Sequence, residues 1–489
     1  MKSDLVQQIT LYKYRYIAGF GVLFLLLFVV VIWQFWTLPD GLSAGEMTAA
    51  TAAGHFSFSK VFSETVNLPW TILEWLSIKI LGASTFAFRL PAVILMILSA
   101  GGLILLLKKW SRDNIAVISG FLTVTSVLFI SLSRSGTPAV MTTFLVVMIL
   151  LSALTIIRSI ERFGEDNEKN QTRRTWRTLL AKITLSVALA LLCYQAAGVY
   201  LVAMFVVMGV LHPKTRLIFI KSKLWKIIVG ALTGLVVMTP LVLGFITGGL
   251  VVVKQWLMVD GTWSWGQLST NLSTMFGLEI GFVGGFITPV VTLVSLIIVL
   301  LGLMKTITDF FSARSYLVLP FLVITLTLAV WRVELVYLLF VPLTLLTAVG
   351  IETLVHEWYS LFPRNPYARL LAVVILTALV FGLVWAQLAR FSLSQNYDVS
   401  VIDSYNQEYS AARTVISQEK DAVTLVVRPD QQKLYQILQY EFPFLTVTTE
   451  SKKDSRNIIL DSARINSADI PTKIITNSHS KNAVLLRIY

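Results

Sequence analysis

Eleven apolar runs, each near the length of a membrane-crossing helix, constrain this chain to a helical bundle in lipid. A helix needs about 20 predominantly apolar residues to cross the hydrocarbon core of a bilayer. Runs of that kind occupy 16–38, 89–107, 114–133, 137–157, 178–194, 196–211, 227–248, 280–304, 315–331, 333–351 and 369–390. The segment 68–82 falls short of that length and carries Glu74 and Lys79, so it is not counted as a span. Composition agrees, with 56% hydrophobic and 14% charged residues, against about a quarter charged in soluble domains. The first run has no small-residue cleavage site close behind it and reads as a retained span.

Loop charge sets the orientation. With the N-terminus inside (Lys2, Lys13, Arg15), five basic loops share the cytoplasmic side. These hold Lys108, Lys109 and Arg112; Arg158 to Arg177; Lys214 to Lys226; Lys305 and Arg314; and Arg364 and Arg369. The formal charge of +13 is therefore a positive-inside signal and no sign of a nucleic-acid partner. Counting 68–82 as a span would put the richest basic loop outside. That segment is expected to lie along the outer interface as an amphipathic helix, with Trp70 and Trp75 at headgroup depth. The single cysteine, Cys193, sits in an apolar run and excludes both a disulfide framework and a cysteine-based metal site.

After Arg390 the composition turns polar. Short β-rich runs at Val423–Val427, Leu445–Thr449, Asn457–Leu460, Thr472–Thr476 and Ala483–Tyr489 alternate with helical stretches at Asp403–Gln418 and Asp430–Tyr440. That alternation predicts a small α/β domain over 391–489, following a transmembrane domain over 1–390. Eleven spans with an inside N-terminus put this domain on the outer face.

The cytoplasmic loops hold no glycine-rich phosphate loop, and His55, His212, His356 and His479 show no ligand spacing. The outer side is richer. Its first loop, 39–88, carries Asp40, Glu46, Glu64, His55 and Lys60, and other outer groups are Arg89, Arg134, Asp260, Glu279, Arg332 and Glu334. A carboxylate can deprotonate an acceptor hydroxyl while an arginine stabilises a departing phosphate. Each residue also has a plainer reading. Glu46 and Glu64 suit solvated loop carboxylates, Asp40 a helix cap, Arg89 and Arg134 snorkelling cations, and Arg332 an interface pair with Glu334. Trp256, Trp263 and Trp265 read as interfacial belt residues, with sugar stacking as the alternative.

The stretches TLPDGLSAGEMTAATAAG (37–54) and NLPWTILEWLSIKILGASTFAFRLPAVI (67–94) resemble the GT-C glycosyltransferases. More narrowly they are similar to the bacterial relatives of dolichyl-phosphate-mannose protein mannosyltransferases and of aminoarabinose transferases. Gly45-Glu46, Leu68-Pro69-Trp70, Ile80-Leu81-Gly82 and Arg89-Leu90-Pro91 follow the order of that family's motifs. SLSRSGTPAVM (131–141) and WRVELVYLLFVPL (331–343) are similar to its outer-edge segments.

The resemblance implies inverting transfer of a sugar from a polyprenyl-phosphate carrier to a glycan, lipid or protein acceptor, at the outer face of the cytoplasmic membrane. It implies catalytic roles for Glu46 and Asp40, and substrate contacts for Arg332, Arg134, Arg89, Glu64 and Asn67. It allows a weakly held divalent cation, for which the sequence shows no ligand cage. Two departures stand out. Gly45 replaces the Asp of the family's acidic pair, and Asn67 replaces the basic residue before the Pro. Two other readings stay open: a lipid-linked-sugar transporter or flippase, against which the lack of repeats and of mid-span charges counts, and a non-catalytic scaffold of the same fold.

Overall fold

The computed structural model describes residues 15–33, 35, 38–161, 168–211, 224–258, 265–277, 279–362, 366–419, 421–450, 456–463, 473–476 and 485–488. Asp260, Trp263, His212, His479 and most of the basic stretch 212–226 lie outside the described residues.

Every apolar run contains a helix. In chain order these are α1 (Arg15–Ile32), then α2 (Ala44–Gly54) and α3 (Leu68–Leu81) in the first outer loop, then α4 (Thr85–Trp110). There follow α5 (Asp113–Val124), α6 (Val127–Arg134), α7 (Pro138–Glu161), α8 (Glu168–Leu192), α9 (Gly198–Leu211), α10 (Leu224–Leu257) and α11 (Trp265–Phe276). The last long ones are α12 (Leu293–Thr308), α13 (Ala313–Trp331), α14 (Phe340–Leu361) and α15 (Pro366–Tyr397). Among the described residues six helices are long and apolar enough to cross a membrane alone, and α5 with α6, bent by 58° at the break between them, passes the same measure only as a pair. α1, α9 and α12 are shorter apolar helices, and the 178–194 run is the C-terminal part of α8. The chain is a multi-pass membrane protein.

Two departures from the sequence reading matter for the site. The run 280–304 is not helical throughout. Its first part is a hairpin, β2 (Gly281–Val283) against β3 (Phe286–Thr288), turning at Gly284 and Gly285, both with positive φ. A Gly-Gly pair supplies the left-handed conformations a two-residue hairpin turn requires, so α12 begins only at Leu293. The second is that Trp70 turns into the protein, where it is buried and donates its indole N–H to Glu74.

The polar C-terminal part follows α15 without a break at Arg390, since the helix runs on to Tyr397. A five-stranded mixed sheet follows, in the order β6-β5-β7-β9-β8, with β5 (Val423–Val426) parallel to both neighbours. β-branched and apolar residues fill β5, and all four of its residues are buried. The strands β6 (Leu445–Thr448), β7 (Arg456–Leu460), β8 (Lys473–Thr476) and β9 (Leu485–Ile488) fall within two residues of the β-rich runs.

This module does not stand apart from the rest. Its Tyr409, Ile416, Tyr435 and Ile437 share one hydrophobic core with Leu42, Ala50, Ala53, Ile78 and Phe88 of the first outer loop and the start of α4. A two-residue ladder joins them as well: β1 (Leu42–Ser43) pairs antiparallel with β4 (Tyr405–Asn406), setting Ser43 opposite Tyr405. Tyr409 donates its hydroxyl to Ala83 O at 3.1 Å, and Ala83 N–H donates to Glu441 at 3.1 Å.

Candidate active site

The site is built at the start of α2. Ser43 is its N-cap: the side chain accepts from Glu46 N–H at 3.3 Å, while Glu46 Oε2 accepts from Ser43 N–H at 2.9 Å. This is a capping box, the reciprocal bonding of a Ser and a Glu three residues on. Here it also aims the Glu46 carboxylate into the protein, where it is 1% exposed.

Arg89, four residues into α4 and fully buried, meets that carboxylate as a fork. Its Nε donates to Glu46 Oε1 at 2.8 Å and its Nη2 to Oε2 at 3.2 Å. A bidentate guanidinium–carboxylate pair repays the cost of burying two charges only when the other donors and acceptors are also satisfied. Here they are. Glu46 Oε1 takes a further N–H from Gly136 at 3.0 Å, and Arg89 donates to Pro39 O at 2.7 Å and Gly41 O at 2.5 Å. The pair therefore grips the backbone on both sides of Asp40, whose side chain is half-buried.

Gly41 takes up a left-handed φ of 86°, and a Cβ there would lie 2.5 Å from Asn406 O. The β1–β4 ladder thus requires glycine next to Asp40. Across that ladder, Tyr405 packs its ring on Phe282 of the β2 strand, with centroids 4.9 Å apart. Burial pushes the Tyr405 phenol above its ordinary range, with nearby Glu46 adding to the shift and Arg89 opposing it. At neutral pH the hydroxyl therefore keeps its proton.

The hairpin turn closes the other side. A Cβ at Gly285 would sit 3.7 Å from Ser135 Oγ and 3.9 Å from Ser43 Oγ, and one at Gly284 would meet Glu334 Cα at 3.0 Å. Ser135 Oγ and Thr137 Oγ1 are bonded at 2.7 Å, and the Gly45 position faces Thr137 alone, at 3.3 Å.

The residues singled out from the sequence divide in three. Glu46 and Arg89 form the clamp just described, and Asp40 sits between the two carbonyls that Arg89 holds. Arg134 lies near it, interacting electrostatically with Arg89 and Tyr405, but it is buried, donates to Val30 O and Trp33 O, and stacks on Phe391. Arg332 is half-buried at the end of α13, donates to Met258 O at 3.2 Å, and forms no ion pair with Glu334 among the described residues.

Glu64 and Asn67 lie elsewhere. Glu64 is exposed, and Asn67 is a left-handed hinge (φ 60°) ahead of α3 that donates N–H to Tyr194 O and accepts from Ala196 N–H. Trp256 is half-buried in the same junction and donates its indole N–H to Cys193 O.

Reading the sequence alone missed Ser43, Tyr405, the hairpin and Ser135. Only Ser43 was signalled there, by its place three residues before Glu46.

Among the described residues no three His, Cys, Asp or Glu side chains gather as a cation site. Each Glu46 oxygen already accepts two N–H donors.

Residues 63–243 match the family model described as dolichyl-phosphate-mannose-protein mannosyltransferase. A comparison with curated proteins finds no match. Among solved structures, ArnT from Cupriavidus metallidurans in the apo state superposes with a TM-score of 0.56 at 12% identity, covering 96% of this chain and 98% of that one. The same protein bound to undecaprenyl phosphate gives 0.51 at 11% identity over the same shares. The Archaeoglobus fulgidus oligosaccharyltransferase in the apo form gives 0.50 at 13% identity, covering 91% of this chain and 61% of that one. The chain thus spans under two thirds of the archaeal enzyme but nearly the whole of ArnT. The matched segment covers less than half of this chain, while its fold as a whole is that of the ArnT structure.

Proposed function

We propose that this chain transfers a sugar from a polyprenyl-phosphate carrier to an acceptor hydroxyl at the outer membrane–water interface, with inversion at the anomeric carbon. The observation that carries the reading is the Arg89 clamp, which fixes the loop bearing Asp40 at the junction of α2, the β2–β3 hairpin and the C-terminal module. A buried ion pair placed to hold a half-buried carboxylate between two anchored carbonyls suits a preorganised general base.

In this reading Asp40 takes the proton of the acceptor hydroxyl as its oxygen attacks the anomeric carbon. The carbon–oxygen bond to the carrier breaks, and the lipid phosphate leaves with the electron pair. Glu46 and Arg89 are positioning residues, because their polar atoms are already engaged and neither side chain is more than 1% exposed. Contact with the leaving phosphate falls to Arg332, the least buried of the three arginines first considered. The N-terminus lies inside and the C-terminal module outside, where it closes the acceptor side through Tyr405. ArnT's structure with undecaprenyl phosphate supports the choice of donor class.

The test is a transfer assay on purified protein in lipid, offering labelled polyprenyl-phosphate sugars and a cell-envelope acceptor extract. Transfer by wild type that is lost in Asp40→Asn, with the variant still folded at the assay temperature, is the expected result. Full transfer by Asp40→Asn would remove the base from this position. Gly45, which stands where the family carries Asp, favours a second reading as a non-catalytic scaffold; no transfer from any donor by wild type would support it.

A further inference from the structure

α4 connects two chemically different places. Arg89 lies near its start, and at its last residue Trp110 O accepts from Arg314. At about 1.5 Å per residue the two places are roughly 30 Å apart, the thickness of a bilayer core. Around the Trp110 end the start of α5, the facing ends of α12 and α13, and the last turns of α14 enclose a cavity of about 390 Å³.

The cavity is lined by charges of both signs. Two pairs are closed: Lys305 with Asp309 at 3.2 Å, and Arg314 with Glu352 at 2.8 Å. Three ionisable side chains are left over. Arg112 precedes α5 without capping it, and His356 and Glu357 lie on α14. All three are exposed, and none has a side-chain hydrogen bond or ion pair among the described residues. Beside them, the turn that contributes Asp309 and Ser312 to the lining also carries Phe310 and Phe311, which are 57% and 101% exposed. Two bare phenyl rings next to a charged cavity, at the end of a membrane bundle, mark the depth where acyl chains meet headgroups.

We infer that this cavity binds the headgroup of a zwitterionic phospholipid, its phosphate on Arg112 and its ammonium on Glu357, with the acyl chains running past Phe310 and Phe311. An anionic lipid would use the guanidinium and leave Glu357 facing like charge. A soluble phosphate would have no use for the phenyl rings. The opposed leftover charges and the apolar flank together select a ligand that is positive, negative and greasy. The site stands a bilayer away from the Asp40 loop and needs neither substrate.

Native mass spectrometry of the delipidated full-length chain tests this, with short-chain phosphatidylethanolamine, short-chain phosphatidylglycerol and inorganic phosphate as probes. Wild type is expected to retain phosphatidylethanolamine preferentially. Arg112→Ala and Glu357→Gln should each weaken it by about tenfold, the worth of one charge-assisted hydrogen bond. Glu357→Gln should leave phosphatidylglycerol unchanged or bound better. Equal retention of the two lipids by wild type overturns the proposal without reference to any variant. So does binding of inorganic phosphate alone, and so does phosphatidylethanolamine binding that survives Arg112→Ala undiminished.

Discussion

Arg89 holds Glu46 with two of its nitrogens and, through Nη1 and Nη2, also holds the carbonyls of Pro39 and Gly41 on either side of Asp40. One side chain thus couples the capping box of α2 to the loop where the acid sits. The relationship separates two carboxylates six residues apart: one is built into the protein, the other is presented by it.

Breaking the clamp should cost stability first. Arg89→Lys keeps the charge but loses the planar fork that reaches Glu46 and both carbonyls. Glu46→Gln leaves a buried guanidinium facing a neutral amide. Removing one partner of a buried pair typically costs about 3–5 kcal/mol. Both variants should therefore unfold at lower temperature in detergent, and any loss of transfer should accompany that shift. A Glu46→Gln protein as stable as wild type but devoid of transfer would return the base to Glu46.

Asp40→Asn should cost activity first. Its backbone neighbours remain held by Arg89, so losing the Asp40 carboxylate, which also supports the Arg89 charge, should lower thermal stability less than either clamp variant does. A missing general base lowers kcat by about 10²–10⁴, with little change in KM because the acceptor is still bound. Steady-state kinetics with a fixed donor and varied acceptor read this directly.

Docking of the C-terminal module should depend on Gly41. Alanine there meets both a left-handed φ and Asn406 O at 2.5 Å, and such substitutions cost more than about 1 kcal/mol. Gly41→Ala is expected to open the β1–β4 ladder and speed proteolysis after Tyr397, while the apolar helices stay intact. Digestion at the wild-type rate would show that the shared core of Tyr409, Ile437 and Phe88 holds the module unaided.

Glu74 gives a pH signature. It is buried in α3, and burial raises its carboxyl well above the usual carboxylate range, against the lowering effect of the Trp70 N–H. A carboxyl whose folded pKa is raised binds its proton more tightly in the folded state, so folding stability falls as pH rises from about the unfolded value of 4.5 toward the folded one. Glu74→Gln keeps an oxygen for the Trp70 bond and removes the proton. The variant should lose that decline and be the more stable protein at neutral pH, as thermal melts across pH 4–8 would show. Parallel curves for the two proteins would mean that Glu74 does not titrate with folding.

Much of this architecture was legible because its causes are local. Apolar runs of helix length mark the spans, and β-branched runs mark β5 to β7 before any pairing is known. The hairpin at Gly284 was not legible, because FVGGFIT is as apolar as the helix that follows and hydropathy does not weigh a turn. The Ser43-x-x-Glu46 spacing was visible, yet its partner Arg89 lies in another helix. Tyr405 carries no local signal at all. It reaches the site only because strand pairing joins the two ends of the chain, and pairing between distant segments is what a single sequence conceals best.

Gly45 supports the most informative gain-of-function test. A Cβ there has one neighbour, the Thr137 methyl at 3.3 Å, and its backbone has no left-handed strain. An acid in the first turn of α2 is favoured by the helix dipole by about 0.3–1 kcal/mol. Replacing a helical glycine adds about 0.5–1 kcal/mol more. Once the Thr137 methyl shifts by a few tenths of an ångström to admit the new Cβ, Gly45→Asp should fold about as well as wild type. If position 45 and Asp40 present a carboxylate to the same acceptor hydroxyl, Gly45→Asp in the Asp40→Asn background should recover transfer, and that recovery is the expected outcome. A stable double variant without transfer would mean that Asp40 acts from a place position 45 does not reach. It would also mean that the glycine marks a rearranged site and not merely a displaced one.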